Sequence, residues 1–130
     1  MENTKENIKK ILLVEDEPIL GITLKQRLER EGLEVIYAKD GDEALNILKS
    51  NTKPDLMLLD IILPKLSGFE LMEIIRNDIN LSQIPIFVIS NLGQDNDINR
   101  GKKLGAIDYF IKAHTSIEDL VNTIKNFLTK

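Results

Sequence analysis

Acidic side chains directly follow two short apolar runs of this 130-residue chain. Glu15 and Asp16 come after the first run, and Asp60 comes after the third. Carboxylates held close together repel one another, so some take up protons unless a cation neutralises them. Oxygen ligands suit a hard cation, and an incomplete set of protein ligands with retained water suits Mg²⁺ better than Ca²⁺. These three residues are therefore predicted to bind Mg²⁺ if the fold brings them together.

Two other polar residues occupy equivalent positions, because Ser90 follows the fourth apolar run and Lys112 follows the fifth. Lys112 would add a positive charge, and Ser90 a neutral hydroxyl. A phosphoryl group fits a space lined in this way, because a metal ion and an ammonium group stabilise its equatorial oxygens during transfer. Asp60, at the end of the central run, is the natural nucleophile for an acyl phosphate.

The elements that must position these residues are five predicted β-strands. Each apolar run is too short for a typical helix, and several are rich in β-branched residues. Continuous rather than alternating hydrophobicity indicates strands of a parallel sheet that is covered on both faces. The predicted strands are Ile11–Val14, Val35–Ala38, Leu56–Leu59, Ile86–Ile89 and Tyr109–Ile111.

A segment with helical features follows each strand. The first is predicted to begin at Pro18 and to stop at Gly32, and the fourth, near 94–104, is weak because it has few apolar residues. The other three open with pairs typical of capping boxes, namely Asp40 with Glu43, Ser67 with Glu70, and Thr115 with Glu118. Alternating strands and helices predict an α/β fold with a parallel sheet. Ligands of such sheets bind beyond the carboxyl ends of the strands, where the polar residues stand.

Composition limits the classes of function. With 17 basic and 21 acidic residues the net charge is −4, which argues against binding to nucleic acid or to an anionic membrane. The absence of cysteine excludes disulfides and cysteine-based zinc sites, and it permits a cytoplasmic location. The most apolar stretch, 56–63, is much shorter than the ~20 residues of a membrane span. We expect one soluble domain over residues 9–130, preceded by a polar tail over 1–8 without a signal peptide.

Several of these segments together resemble the receiver domain of two-component response regulators. The segments that carry the resemblance are Leu13–Pro18, Leu58–Pro64, Ser67–Gly68, Val88–Ser90, Gly105–Ala106 and Tyr109–Lys112. Each segment alone is a weak signal, but their order and spacing along almost the whole chain are highly specific. The resemblance implies a doubly wound, flavodoxin-like sheet of five parallel strands in the order 2-1-3-4-5, flanked by five helices.

The resemblance also implies a role for each residue of the site. Asp60 would accept the phosphoryl group, while Ser90 and Lys112 would each contact one of its oxygens. Tyr109 would be the switch aromatic, which changes rotamer as Ser90 moves toward the phosphate. The ligands of Mg²⁺ would be Glu15, Asp16, Asp60 and the backbone carbonyl of Ile62.

These roles imply a signalling module rather than an enzyme that turns over a substrate. The phosphoryl group would come from a histidine kinase or a phosphotransfer protein, with self-catalysed transfer and slow autodephosphorylation. We expect no effector domain after the fifth helix, and therefore output through protein contacts of the fourth helix, fifth strand and fifth helix. The new charge would favour one of two loop arrangements. The domain would be a monomer or a phosphorylation-dependent homodimer, with a downstream target that the sequence does not identify.

Four positions depart from the usual receiver pattern. Ala113 replaces the proline that usually follows the lysine, so a trans Lys112–Ala113 bond is predicted. Asn91 replaces a small residue and should narrow the path to Asp60. Ile62 and Leu92 are aliphatic and cannot orient a hydrolytic water, which predicts a long-lived phosphorylated state.

Other functions remain open at this point. The chain could be a degenerate receiver that acts only as a protein-interaction module. A haloacid-dehalogenase-like phosphatase would need an acid where Ile62 stands, and a flavodoxin-like carrier would not place Glu15, Asp16 and Glu17 in its phosphate loop. Taken singly, Ser90 and Lys112 have ordinary structural explanations, and Tyr109 could simply pack in the core. Asp60 is harder to explain in that way, because burying a carboxylate without a partner is costly.

Overall fold

The structure is a computed structural model that describes residues 8–129. The predicted tail over 1–8 therefore lies outside the described residues, apart from Ile8. Five strands and five α-helices alternate, and a short 3₁₀ helix precedes the last α-helix. They are β1 (Lys10–Val14), α1 (Pro18–Arg30), β2 (Glu34–Ala38), α2 (Gly41–Lys49), β3 (Leu56–Leu59), α3 (Gly68–Arg76), β4 (Ile86–Ser90), α4 (Asp95–Lys103), β5 (Ala106–Ile111), the 3₁₀ helix (Lys112–His114) and α5 (Ile117–Leu128).

The strands form one parallel sheet in the order β2-β1-β3-β4-β5, which confirms the predicted fold. Side chains of a strand alternate between the two faces of a sheet. In β1, Ile11 and Leu13 join a core with residues of α1 and α5, while Leu12 and Val14 join a core with residues of α2 and α3. Because both faces are covered, the strands can be apolar throughout, as the sequence indicated.

The local signals at the helix ends account for most of the helix boundaries. Pro18 is at the start of α1, and Gly32, just beyond its end, has a φ of +87° that disfavours other residues. Ser67 and Glu70 form a complete capping box at α3. The predicted pair of Thr115 and Glu118 is wrong: Ser116 caps α5 by accepting a hydrogen bond from the backbone N–H of Asp119, and Thr115 Oγ1 donates to a backbone carbonyl instead.

The fourth helix is held mainly at its carboxyl end. Gly101 is its only buried residue, in agreement with the weak apolar pattern of this segment. The guanidinium of Arg76, at the end of α3, donates hydrogen bonds of 2.8–3.1 Å to four backbone carbonyls. These carbonyls belong to Ser82, Ile84, Leu104 and Gly105. The connection between α4 and β5 is thereby fixed to α3 and to the loop before β4.

The fifth strand is longer than the sequence predicted, since it begins at Ala106 rather than at Tyr109. Its first half pairs with β4 around an irregularity between Ile86 and Phe87, and Ile107 faces outward with 52% of its surface exposed. Among the described residues, no helix has the length and apolar character required to cross a membrane.

Candidate functional site

The carboxyl ends of the neighbouring strands β1 and β3 bring the predicted acidic residues together. Backbone hydrogen bonds continue beyond the strands, from the N–H of Glu15 to Ala38 and from the N–H of Asp60 to Val14, each 3.0 Å long. Glu15 and Asp60 are buried, while Asp16 is exposed. One carboxylate oxygen from each of these three residues lies within 4.8 Å of the others.

Lys112 brings a positive charge to the same edge. It follows β5 directly, and its Nζ lies 2.7 Å from Oδ2 of Asp60 and 2.7 Å from Oε2 of Glu17. A third hydrogen bond, 3.1 Å long, reaches Oε2 of Glu15. The Lys112–Ala113 bond is trans, as predicted, and the 3₁₀ helix that begins at Lys112 keeps the amine turned toward the site.

The charges of this cluster alter its acid–base equilibria. Burial raises the pKa of Glu15 to about 7, an effect that a hydrogen bond from the N–H of Glu17 opposes and the charge of Asp60 reinforces. Burial alone would lower the pKa of the Lys112 ammonium, but hydrogen bonds to Asp60 and Glu17 outweigh it and raise the pKa above its ordinary value. Lys112 therefore stays protonated, but its single positive charge faces the carboxylates of Glu15, Glu17 and Asp60. Negative charge is in excess at the site.

The acidic cluster has the properties of a site for a divalent cation. Carboxylate oxygens are the ligands that hard cations prefer. Oε1 of Glu15 is buried and accepts no hydrogen bond from the described residues, although Nζ of Lys112 lies 3.1 Å away, so this oxygen can still accept a ligand bond to a cation. A cation beside the three carboxylates would bind this oxygen and would offset both the burial and the charge of Asp60 that raise the pKa of Glu15.

A small cavity of about 150 Å³ opens beside these groups. It is lined by Asp16, Glu17, Asp60, Ile62, Asn91 and Lys112. Asp60 is thus both held by an ammonium group and accessible from the cavity. Ser90 is fully buried and is not among the lining residues; its Oγ accepts a hydrogen bond of 3.3 Å from the N–H of Leu92.

Comparison with known proteins identifies the family. The family model described as the response regulator receiver domain matches residues 11–125. The chain belongs to this family.

Two similar proteins show different architectures. The chain is 40% identical over 107 residues to the probable transcriptional regulator ycf27 of Guillardia theta, covering 82% of the chain but 41% of that protein. It is 34% identical over 119 residues to protein PilH of Pseudomonas aeruginosa, covering 92% of the chain and 97% of that protein. The chain spans about half the length, or less, of the transcriptional regulators that it matches.

A solved structure agrees with both the fold and the family. The crystal structure of the phosphorylated cyanobacterial phytochrome response regulator RcpA matches with a TM-score of 0.79 and 32% identity, covering 92% of this chain and 91% of that one. Receiver domains act as phosphoacceptor domains in signalling, and this chain is a receiver domain.

In this receiver domain the predicted switch aromatic, Tyr109, is half-buried between the site and α4. Its hydroxyl donates a hydrogen bond of 2.5 Å to the backbone carbonyl of Leu92. Burial, together with the charges of Asp97 and Asp60, raises the pKa of Tyr109 to about 12, so the hydroxyl keeps its proton. The ring packs against Gly101, where an added Cβ would lie 2.9 Å from a ring carbon.

Glu17 is the site residue that the sequence analysis missed. In the sequence it stands out only as an acid that would repel phosphate from a flavodoxin-like loop, yet its carboxylate forms an ion pair with Lys112 across the cavity. The sequence signal that could have indicated a role for Glu17 in the site is its position directly after Glu15 and Asp16. Only the position of Lys112 in the fold shows that this third acid has a basic partner.

Proposed function

We propose that Asp60 accepts a phosphoryl group from a histidine kinase or a phosphotransfer protein. The observation that carries the proposal is the 2.7 Å contact of Lys112 with Asp60, beside the acidic cluster and at a cavity that reaches solvent. An Asp60 oxygen would form a bond to phosphorus as the bond from phosphorus to the donor's histidine nitrogen breaks. The electron pair of the broken bond would stay on that nitrogen.

Each residue around Asp60 would have a different role in this transfer. Lys112 would contact an oxygen of the phosphoryl group, and the Ser90 hydroxyl would donate to another. The fit of the carboxylates favours Mg²⁺ held by Glu15, Asp16, Asp60 and the backbone carbonyl of Ile62. When bound, Mg²⁺ would supply charge that stabilises the phosphoryl oxygens in the transition state.

The signalling step would follow from a change in the loop after β4. Ser90 Oγ and the Tyr109 hydroxyl both contact Leu92, one through its N–H and the other through its carbonyl. Movement of Ser90 toward a phosphoryl group would disturb both contacts. The affected surface would comprise α4, β5 and α5, which would bind a downstream protein or a second copy of the chain in a phosphorylation-dependent manner.

Mass spectrometry after incubation with acetyl phosphate tests the acceptor. One phosphoryl adduct is expected in the presence of Mg²⁺, much less with a chelator, and none in Asp60→Asn. Peptide mapping should place the adduct on Asp60. Absence of the adduct from the folded wild-type protein, with Mg²⁺ present, would contradict the proposed function and would favour a receiver that acts only through protein contacts.

A further inference from the structure

The ammonium group of Lys112 has no free hydrogen-bond donor in this structure. An ammonium group carries three N–H donors, and those of Lys112 face Asp60, Glu17 and Glu15. Before it bonds to Asp60, an incoming phosphoryl group can therefore gain a hydrogen bond from Lys112 only if one of these carboxylates gives up its own.

The three carboxylates differ in what they lose by leaving the amine. The side chains of Glu15 and Asp60 are 0% and 3% exposed, so losing the ammonium while Asp60 is still unmodified would leave a buried carboxylate without its partner. The side chain of Glu17 is 57% exposed, so water can replace the ammonium at small cost. Glu17 is therefore the partner that yields to a phosphoryl group.

The backbone position of Glu17 points to the same role. It is the N-cap residue of α1, a position where the shorter side chains of Ser, Thr, Asp and Asn commonly accept a hydrogen bond from the first turn of a helix. Its side chain makes no such bond and extends across the cavity to Lys112. The negative charge thus stands at the opening through which an anionic donor must reach Asp60.

We infer that Glu17 is a positioning residue that occupies Lys112 while Asp60 is unmodified, gives it up to an incoming phosphoryl group, and thereby slows reaction with small anionic donors. The inference rests on the proposed function of Asp60. In the reaction with acetyl phosphate, an Asp60 oxygen bonds to phosphorus, and the bond from phosphorus to the acetyl oxygen breaks with its electron pair leaving on acetate.

Two small phosphoryl donors that differ in charge provide the test. Acetyl phosphate is a dianion at neutral pH, whereas phosphoramidate is mainly a monoanion. Glu17→Gln removes the negative charge and weakens the hold on Lys112, so labelling by acetyl phosphate is expected to accelerate about fivefold and labelling by phosphoramidate about twofold. The acceleration should shrink at high salt, which screens exposed charges. Labelling rates come from mass spectrometry with saturating Mg²⁺.

A matched control is Glu34→Gln, which removes the same charge from an exposed residue at the amino end of β2, away from the site. It should label at the wild-type rate with both donors. Unchanged or slower labelling of Glu17→Gln would overturn the inference, as would equal acceleration with the two donors or in the Glu34→Gln control. Failure of the wild-type protein to label at all would instead overturn the proposed function.

Discussion

The Nζ atom of Lys112 and the Oδ2 atom of Asp60 lie 2.7 Å apart, although the residues are 52 positions apart in the chain. Their side chains are 10% and 3% exposed. The contact joins the end of β5 to the end of β3, across the intervening β4. Before phosphorylation, the ammonium group of Lys112 provides much of the positive charge that allows the buried carboxylates of Glu15 and Asp60 to share one edge of the sheet.

Replacing Lys112 with methionine should therefore destabilise the metal-free domain. The change leaves Asp60 and Glu15 without their ammonium partner, so the free energy of unfolding is expected to fall by about 3–5 kcal/mol. Urea denaturation in the presence of a chelator measures it, and Mg²⁺ should restore part of the loss. Lys25→Met, which breaks an exposed ion pair with Glu29, should change stability by about 0.5 kcal/mol or less. Equal losses in the two variants would contradict this role for Lys112.

The raised pKa of Glu15 predicts an unusual pH dependence. Between its ordinary value of 4.5 and its folded value of about 7, the folded state holds the proton more tightly than the unfolded state. The contribution of Glu15 to stability is therefore complete below about pH 4.5 and is lost as the pH rises through about 7. Thermal denaturation without metal should show a decline over this range in the wild type.

Glu15→Gln should lack that share of the decline, because glutamine does not titrate. Affinity for Mg²⁺ should rise with pH over the same interval in the wild type, since the cation competes with the proton on Glu15. Calorimetric titration with Mg²⁺ at several pH values measures this effect. Parallel stability profiles for the wild type and Glu15→Gln would remove the basis of the prediction.

The lifetime of the phosphorylated state should depend on Ile62. Its side chain is 53% exposed and lines the cavity, where it can shield an acyl phosphate but cannot orient water. Ile62→Asn is expected to shorten the lifetime about threefold or more, because an amide can position a hydrolytic water. Loss of the adduct after removal of the donor is followed by mass spectrometry. Ile79→Asn, at a residue that is 90% exposed and does not line the cavity, should leave the lifetime unchanged.

Asn91 should limit the access of small donors to Asp60. It is exposed and lines the same cavity, so its side chain stands beside the path to Asp60. Asn91→Ala is expected to increase the rate of labelling by acetyl phosphate without changing the lifetime of the adduct. Comparing both rates in one preparation separates access from hydrolysis, and an unaltered labelling rate would refute the steric explanation.

The hydroxyl of Tyr109 should stabilise the arrangement of the loop after β4. Tyr109→Phe removes the hydrogen bond to Leu92 while leaving the ring against Gly101, so a loss of about 0.5–1.5 kcal/mol is expected in urea denaturation. Gly101→Ala keeps the hydroxyl but introduces a Cβ 2.9 Å from the ring. It should cost about 1–3 kcal/mol. A neutral Gly101→Ala change would show that the ring is not confined by α4.

The sequence predicts the elements of this fold well because their signals are local. Runs such as Leu56–Leu59 are buried on both faces, and the Ser67–Glu70 box is complete within four consecutive residues. The order of the strands has no such signal. Hydrophobic periodicity shows that a strand is covered, but not which strands lie beside it, and here the order came from the family resemblance alone.

The cap of α5 that was predicted wrongly depends on a short 3₁₀ turn, and the ion pair that was missed depends on a tertiary contact. Thr115 and Ser116 are both suitable N-cap residues, and the choice is made by the 3₁₀ turn, which gives the Thr115 hydroxyl a carbonyl acceptor at Ile111. The ion pair of Glu17 with Lys112 likewise requires the ends of α1 and β5 to meet. The acidic cluster was easier to foresee, because parallel strands necessarily end at one edge of the sheet.

The four hydrogen bonds of Arg76 have a mechanical consequence for α4. They anchor the carboxyl end of this helix, whereas its amino end continues from the loop after Ser90 and buries no apolar side chain completely. A push that begins at Ser90 should therefore tilt α4 about a pivot near Leu104 instead of sliding it along the sheet. The largest displacement of the backbone is expected at Asp95, the first residue of α4.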